Sequence, residues 1–279
     1  MIDLHSHLLP GIDDGARDDE MSLAMARMFL ADGITTVACT PHILPGLYHN
    51  TGPDIRAAVT RLQHRLHQEG LGLELVCGAD AHICPDFVQG LRSGHILSLA
   101  DSRYVLVEPP HHTAPQRMEN FFFDILVAGY VPILTHPERL TWINQHYDTV
   151  RRLAANGVWM QITAGSVTGA FGRNAQYWAD RMLDEGLVHL LATDAHDVNR
   201  RIPNLSRGRD AAAKRVGDSE AEHLVKTRAR GVLANEAPET LPAPMGALAA
   251  SGGEIAAQHN LRADRSTGGR GGWLRRFFG

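Results

Sequence analysis

The chain opens "MIDLHSHLLPGIDDG", which sets His5 and His7 one residue apart and Asp13 and Asp14 in the turn beyond them. Imidazoles and carboxylates bind divalent cations through nitrogen and oxygen, and a His-x-His pair puts two rings on one side of an extended strand. Comparable residues recur downstream: His42 in "TPH", Asp80 in "GAD", Glu108 in "VEPP", His136 in "THPER", and Asp194 and His196 in "TDAHD". With Asp14 they make nine candidate metal ligands and no thiolate, a donor mixture suited to Mn²⁺, Zn²⁺ or Fe²⁺. Nine donors exceed what one ion uses, so two or three ions are implied. Such clusters clamp the attacking and leaving oxygens of an in-line displacement.

Residues so scattered act together only if the fold collects them. Seven short apolar runs read as strands, at 1–5, 34–40, 73–78, 104–108, 131–136, 158–163 and 188–193. Helical patterns lie between them. In 115–129, Met118, Phe121, Phe122, Ile125 and Leu126 form one apolar stripe, with Pro115 near its start and Gly129 at its end. In 174–186, Ala175, Trp178, Ala179, Met182 and Leu183 repeat the pattern before Gly186. Segments 18–32, 53–69, 85–93 and 146–156 read as further helices. Such alternation predicts an α/β fold with parallel strands. Seven units predict a closed or nearly closed barrel, with an open doubly wound sheet as the alternative. In both, function gathers at the carboxyl ends of strands. Six of the seven strand ends carry an imidazole or a carboxylate; the sixth offers "QITAGS".

The bulk properties narrow the class. The 279 residues are 44% hydrophobic with net charge −4, the profile of a soluble globular protein without the basic surface of a nucleic-acid binder. Three cysteines, Cys39, Cys77 and Cys84, make neither a disulfide framework nor a zinc ribbon and fit a reducing compartment. No leader pattern and no run near the ~20 apolar residues of a membrane span is visible, so a cytoplasmic location is expected. After Pro242 the chain turns small, polar and aperiodic, carries five arginines against two acids and ends "GGWLRRFFG". The expected organisation is one domain at 1–242 and a flexible tail at 243–279. A weak contact of that tail with an anionic membrane or acidic partner is the sharper alternative.

Taken in order, "DLHSHLLPGIDDG", "TPHILPG", "EPP", "HPER", "QITAGSVTGAFG" and "TDAHD" resemble the PHP (polymerase and histidinol phosphatase) metal-dependent phosphoesterases. More narrowly, they are similar to the capsule and exopolysaccharide branch, the bacterial manganese-dependent protein-tyrosine phosphatases. The resemblance implies a distorted (β/α)₇ TIM-like barrel with a trinuclear site, filled by Mn²⁺ or by Mg²⁺, Co²⁺, Zn²⁺ or Fe²⁺. It assigns His5, His7, Asp80 and Asp194 to a first metal, and Asp80, Glu108 and His136 to a second with Asp80 bridging. Asp14, His42 and His196 go to a third, while Arg139 and Arg201 match the phosphate-binding arginines. It also implies a phosphotyrosine protein as partner, the tail of a bacterial tyrosine autokinase, and leaves homo-oligomerisation open. One position departs from the pattern: Asp80 stands where the family carries a glutamate, a reach shorter by one methylene.

Rival chemistries meet specific obstacles. A cysteine-based tyrosine phosphatase needs an arginine six residues after its nucleophile, and Pro45, Ile83 and Gly90 occupy those positions. Amidohydrolases that bridge metals through a carbamylated lysine need one in mid-barrel, and the only lysines are Lys214 and Lys226. Histidinol-phosphate phosphatase, nuclease and a metal-poor phosphotyrosine-binding regulator remain alternatives. His111 and His112 read as exposed loop residues, His64 and His67 as the solvated face of a helix. Asp13 reads as a shaper of its turn, and "GSVTGAFG" as a tight loop beside the site.

Overall fold

The computed structural model describes residues 1–246. Its strands are β1 (Ile2–Ser6), β2 (Thr36–Cys39), β3 (His42–Leu44), β4 (Tyr48–His49), β5 (Glu74–Cys77), β6 (Asp80–His82), β7 (Tyr104–Glu108), β8 (Val131–Thr135), β9 (Trp159–Thr163) and β10 (Leu190–Ala192). One sheet runs β1-β2-β5 and the other β10-β9-β8-β7-β6-β3-β4; every pairing is parallel except β3 with β4. A bridge between Ser6 and Ala195 joins the first strand to the segment after the last, closing a distorted seven-membered (β/α)₇ barrel.

The distortion has a local cause. The runs 34–40 and 73–78 read as one strand each, but each extended path breaks in two, at Thr40–Pro41 and at Gly78–Ala79. Proline cannot donate to a ladder, and glycine permits close approach. A Cβ at Gly78 would crowd the side chains of Leu99 and Thr40. The first halves stay with β1, β2 pairing directly with it and β5 with β2, while the second halves, β3 and β6, cross to the sheet containing β7. This switch brings His42 and Asp80 into register.

Helices cover the barrel where the apolar stripes require. Helix α1 (Asp19–Ala31) is capped by Asp18, whose carboxylate accepts from Met21 N at 2.8 Å. Helices α2 (Gly52–Gln68), α3 (Phe87–Ser93), α4 (Met118–Val127), α5 (Ile143–Ala155), a short α6 (Ala164–Val167) and α7 (Gly172–Asp184) follow. Met118, Phe122 and Ile125 of α4, and all five stripe residues of α7, are buried. His64 and His67 are exposed on α2. Along β7 the pleat divides Val105 and Val107, which pack in the helix-covered core, from Tyr104 and Leu106. The latter join Leu4, Ala38, Ile133 and Trp159 in a second apolar cluster.

The chain beyond β10 is helical, which the sequence reading did not foresee. Helix α8 (Leu205–Val216) packs on α6, where a Cβ at Gly208 would strike Ala164. Then α9 (Asp218–Glu222), a π turn at His223–Thr227 and α10 (Arg228–Leu233) run on, and Ala229 and Val232 close the second cluster. Arg228 is fully buried, paired with Glu220 at 2.8 Å and donating to the carbonyls of Pro242 and Ala243. No helix among the described residues is long and apolar enough to cross a membrane. The tail expected from 243 lies outside them from residue 247 onward.

Candidate metal centre

At the carboxyl ends of the strands the nine expected side chains converge. His5 and His7 leave β1 with ring nitrogens 3.3 Å apart, and the His7 ring lies 3.8 Å from that of His196 and 4.5 Å from that of His42, centre to centre. Leu4 enters the apolar cluster while its neighbour His5 joins the polar one, and the pairing register shifts between Asp3 and Ser6. Asp194 Oδ1 is 3.3 Å from Nε2 of both His5 and His7. Asp80 Oδ2 is 3.4 Å from His5 Nε2 and from His42 Nδ1. Asp14 Oδ1 sits 3.4 Å from both His42 Nε2 and His196 Nε2, and His136 Nε2 is 3.4 Å from Glu108 Oε1.

Donor atoms of several groups lie within 4.8 Å of one another: His7, Asp14, His42 and His196; His5, His7 and Asp80; and His5, His136 and Asp194. Glu108 gathers with His111 and His136, and separately with His42 and His82. Asp80 therefore gathers with His5 and His7, while its Oδ2 is equally near His42 Nδ1. His111, read from the sequence as an exposed loop residue, is instead half-buried, its Nε2 3.2 Å from Glu108 Oε1; His112 is exposed. His82 joins the cluster without standing among the nine expected ligands. The signal was present: it stands two residues after Asp80 on one strand and shares its face.

Whether these residues suit cations is testable on the polar atoms they leave unmatched. Asp80 Oδ1 and Oδ2, Glu108 Oε2, Asp194 Oδ1, His42 Nδ1, His136 Nδ1 and His196 Nε2 are buried without a hydrogen-bond partner among the described residues. Leaving one such group unmatched costs about 1–3 kcal/mol, more when charged, so a cluster of them at one point demands a compensating ligand. A nitrogen and oxygen donor set with this much uncompensated negative charge fits divalent metal ions.

The electrostatics agree. Burial opposes ionisation of Asp194, yet Arg201 and His5 hold its carboxyl well below the usual range. Against burial, His111, His42 and His82 do the same for Glu108. Burial likewise opposes charge on His5, but Asp194 and Asp80 outweigh it and lift the ring to about 9. Burial and His7 push His196 down to about 4, and burial with Arg139 pushes His136 well below the histidine range. Asp194 and Glu108 are thus held anionic, and the His136 and His196 rings neutral with a free lone pair.

Supporting contacts fix the donors. His7 Nδ1 and Asp13 Oδ2 are 2.7 Å apart, and Asp13 also accepts from Gly15 N at 2.9 Å and His42 N at 3.1 Å. Asp13 thus shapes its turn, as expected, and also orients His7. Gln161, from the strand end that offers no expected ligand, sets Oε1 2.8 Å from His5 Nδ1. His136 and Asp194 hold φ of 34° and 52°, left-handed values that non-glycine residues adopt at a cost of about 1–3 kcal/mol. Backbone bonds from their N–H groups to Gln161 O and His5 O hold them there.

Arg139 and Arg201 both donate to Asp194 Oδ2, so two guanidinium groups flank the donor cluster from one side. Arg139 stacks 4.3 Å above Phe171. Next to them lies a cavity of about 300 Å³ bordered by Gly165, Thr168, Phe171, Thr193 and Arg201. The "GSVTGAFG" segment is therefore α6 and its following turn, and it forms one wall.

Comparison with known proteins matches this architecture. Residues 1–234 match the family model described as capsular polysaccharide synthesis, CpsB/CapC. The tyrosine-protein phosphatase YwqE of Bacillus subtilis (strain 168) is 35% identical over 236 residues, 85% of this chain and 92% of the relative. The tyrosine-protein phosphatase CpsB of Streptococcus pneumoniae is 29% identical over 243 residues, 85% and 99% of the two chains. A crystal structure from work on YwqE and CpsB, described as unique metal-dependent tyrosine phosphatases, superposes with a TM-score of 0.83 at 33% identity, covering 88% of this chain and 99% of the other. A Lactococcus lactis histidinol phosphate phosphatase shares the fold at a TM-score of 0.50 and 15% identity over 76% of this chain and 92% of its own. The chain belongs to the CpsB/CapC family of capsular polysaccharide synthesis proteins, within the PHP fold.

Proposed function

We propose that this chain is a metal-dependent protein-tyrosine phosphatase. His5, His7, Asp14, His42, Asp80, Glu108, His136, Asp194 and His196 would hold two or three divalent ions, Mn²⁺ by preference. Arg139 and Arg201 would hold the phosphate. The observation that carries this reading is the convergence of unmatched buried donors beneath two guanidinium groups. Bound divalent ions supply a water acidic enough to act as hydroxide near neutral pH, and positive charge against the phosphoryl oxygens.

The chain's own groups do the rest. The planar forks of Arg139 and Arg201 suit the equatorial oxygens, whose charge spreads as the leaving group departs. Phe171 limits the swing of Arg139, so the donor geometry is set before substrate arrives. A tyrosyl oxygen, with pKa near ~10, leaves with less general-acid help than an alkoxide. The cavity beside Arg201 and Phe171 offers room for the leaving side of a substrate.

The relatives' names support phosphotyrosine as substrate and capsule or exopolysaccharide synthesis as the setting. We read the partner as the tail of a tyrosine autokinase, met in the cytoplasm at the inner face of the membrane. The deciding experiment strips the protein with chelator, restores Mn²⁺, Mg²⁺ or Zn²⁺ separately, and assays phosphotyrosyl peptide, phosphoseryl peptide and histidinol phosphate. Activity should vanish on stripping, return best with Mn²⁺ and favour the phosphotyrosyl peptide. Activity that survives chelation, or a clear preference for histidinol phosphate, overturns the reading.

A further inference from the structure

Glu108 has more imidazole around it than the nine-ligand scheme uses. Its Oε1 is engaged by His111 at 3.2 Å and faces His136 at 3.4 Å. Its other oxygen, Oε2, is buried and has no hydrogen-bond partner among the described residues. That atom faces His42 Nδ1 at 3.2 Å and lies against His82 Nε2. The backbone makes this contact a built feature: His82 on β6 is the register partner of Glu108 on β7, so the two side chains leave adjacent strands side by side. Donor atoms of Glu108, His42 and His82 lie within 4.8 Å of one another.

The lone pairs of His42 decide what His82 is for. A neutral imidazole has one free lone pair, and the other nitrogen carries a proton. His42 Nε2 faces Asp14, and His42 also belongs to the group of His7, Asp14 and His196. If Nε2 serves that group, Nδ1 holds the proton and can only donate, to Glu108 Oε2 at 3.2 Å or to Asp80 Oδ2 at 3.4 Å. Asp80, two residues before His82, keeps company with His5 and His7. On the Glu108 side His42 then offers a proton and no lone pair, and His82 is the ring beside Oε2 that can offer one.

We propose that His82 is a tenth metal ligand, which with Glu108 Oε2 makes one of the cation positions imidazole-rich. Extra nitrogen shifts a site from Mg²⁺ and Mn²⁺ toward Zn²⁺, Co²⁺ and Fe²⁺. This position therefore takes a borderline transition ion in preference to the hard ions that suit the carboxylate-rich side. The inference rests on the metal reading proposed above.

The test is titration of the chelator-stripped full chain with Co²⁺, read by visible absorbance and bound-metal stoichiometry, and with Zn²⁺ and Mn²⁺ against a competing chelator. His82→Ala should lose one Co²⁺ equivalent, or weaken one binding step roughly tenfold or more, and change the ligand-field bands. It should cost Zn²⁺ affinity more than Mn²⁺ affinity. His82→Gln, which keeps a polar side chain but no imidazole, should behave alike while melting near the unmodified chain when stripped, separating ligand loss from misfolding. If both variants bind Co²⁺ with unchanged stoichiometry, affinity and spectrum, His82 is not a ligand although the metal reading stands. If the unmodified chain itself binds less than one Co²⁺, the metal reading falls and this inference with it.

Discussion

Asp194 concentrates the demands of the site in one carboxylate. One oxygen faces His5 and His7, the other receives Arg139 and Arg201, and its backbone is held in the left-handed region. Changing an arginine here should affect the reaction more than the metal. Arg201→Lys keeps a charge but loses the planar fork, and kcat/KM for a phosphotyrosyl peptide should fall about 10²-fold with metal content unchanged. Asp13→Asn is the converse case. It spares the reacting groups but removes the carboxylate beside His7, so divalent-metal affinity in a competing-chelator titration should drop about tenfold or more. Unchanged affinity would reduce Asp13 to a turn former. That these nine side chains would meet was legible because each follows a strand, and strand ends converge. His82 and Asp13 were less so, since their roles depend on register with β7 and on a turn that folds back to His7.

At the scale of elements, the turn after β1 has no slack. A Cβ on Gly15 would collide with the backbone carbonyl of His7. Gly15→Ala should therefore destabilise the fold by about 1–3 kcal/mol in denaturant unfolding and lower metal occupancy by moving that strand end. The β9–β10 edge carries a different sensitivity. His189 Nδ1 accepts from Met160 N at 3.1 Å, and burial together with Arg228 depresses its pKa to about 3. The unfolded chain binds that proton near pH 6.5, so the native state loses stability as pH falls from about 6.5 toward 3. His189→Gln should shrink the stability difference between pH 7 and pH 5 by about 2 kcal/mol, and an unaltered slope would refute the assignment. The strand-helix rhythm was readable because each unit carries its own apolar period. The short strands β3 and β6 were not, since the predicted runs end at Thr40 and Gly78 and the polar His42, Asp80 and His82 beyond them carry no apolar alternation. Helices α8 to α10 escaped notice for another reason. Their buried faces rely on small residues such as Gly208, Ala212 and Ala229, and on Arg228, which no hydrophobic pattern picks out.

For the whole molecule, the last helices act as a plug held by one buried charge pair. Removing Arg228 leaves Glu220 uncompensated in the interior, so Arg228→Ala should cost about 3–5 kcal/mol by denaturant unfolding. Arg228→Ala with Glu220→Ala should recover part of that loss. Metal should add its own share: an ion that binds only the native chain raises Tm with its concentration, and chelation should lower it reversibly.

The bridge between Ser6 and Ala195 has one more consequence, for the order in which the protein is made. The first strand leaves the ribosome with no closing partner until nearly two hundred residues later, when the segment at 193–196 emerges. Until then its edge stays open and Asp3 lacks Thr193. Two donor groups, those of His196 and Asp194, wait on the same residues. Chain closure and completion of the centre are therefore one event in synthesis. A nascent chain arrested before residue 193 should remain protease-sensitive in β1 whatever metal is supplied, and one released beyond α10 should not.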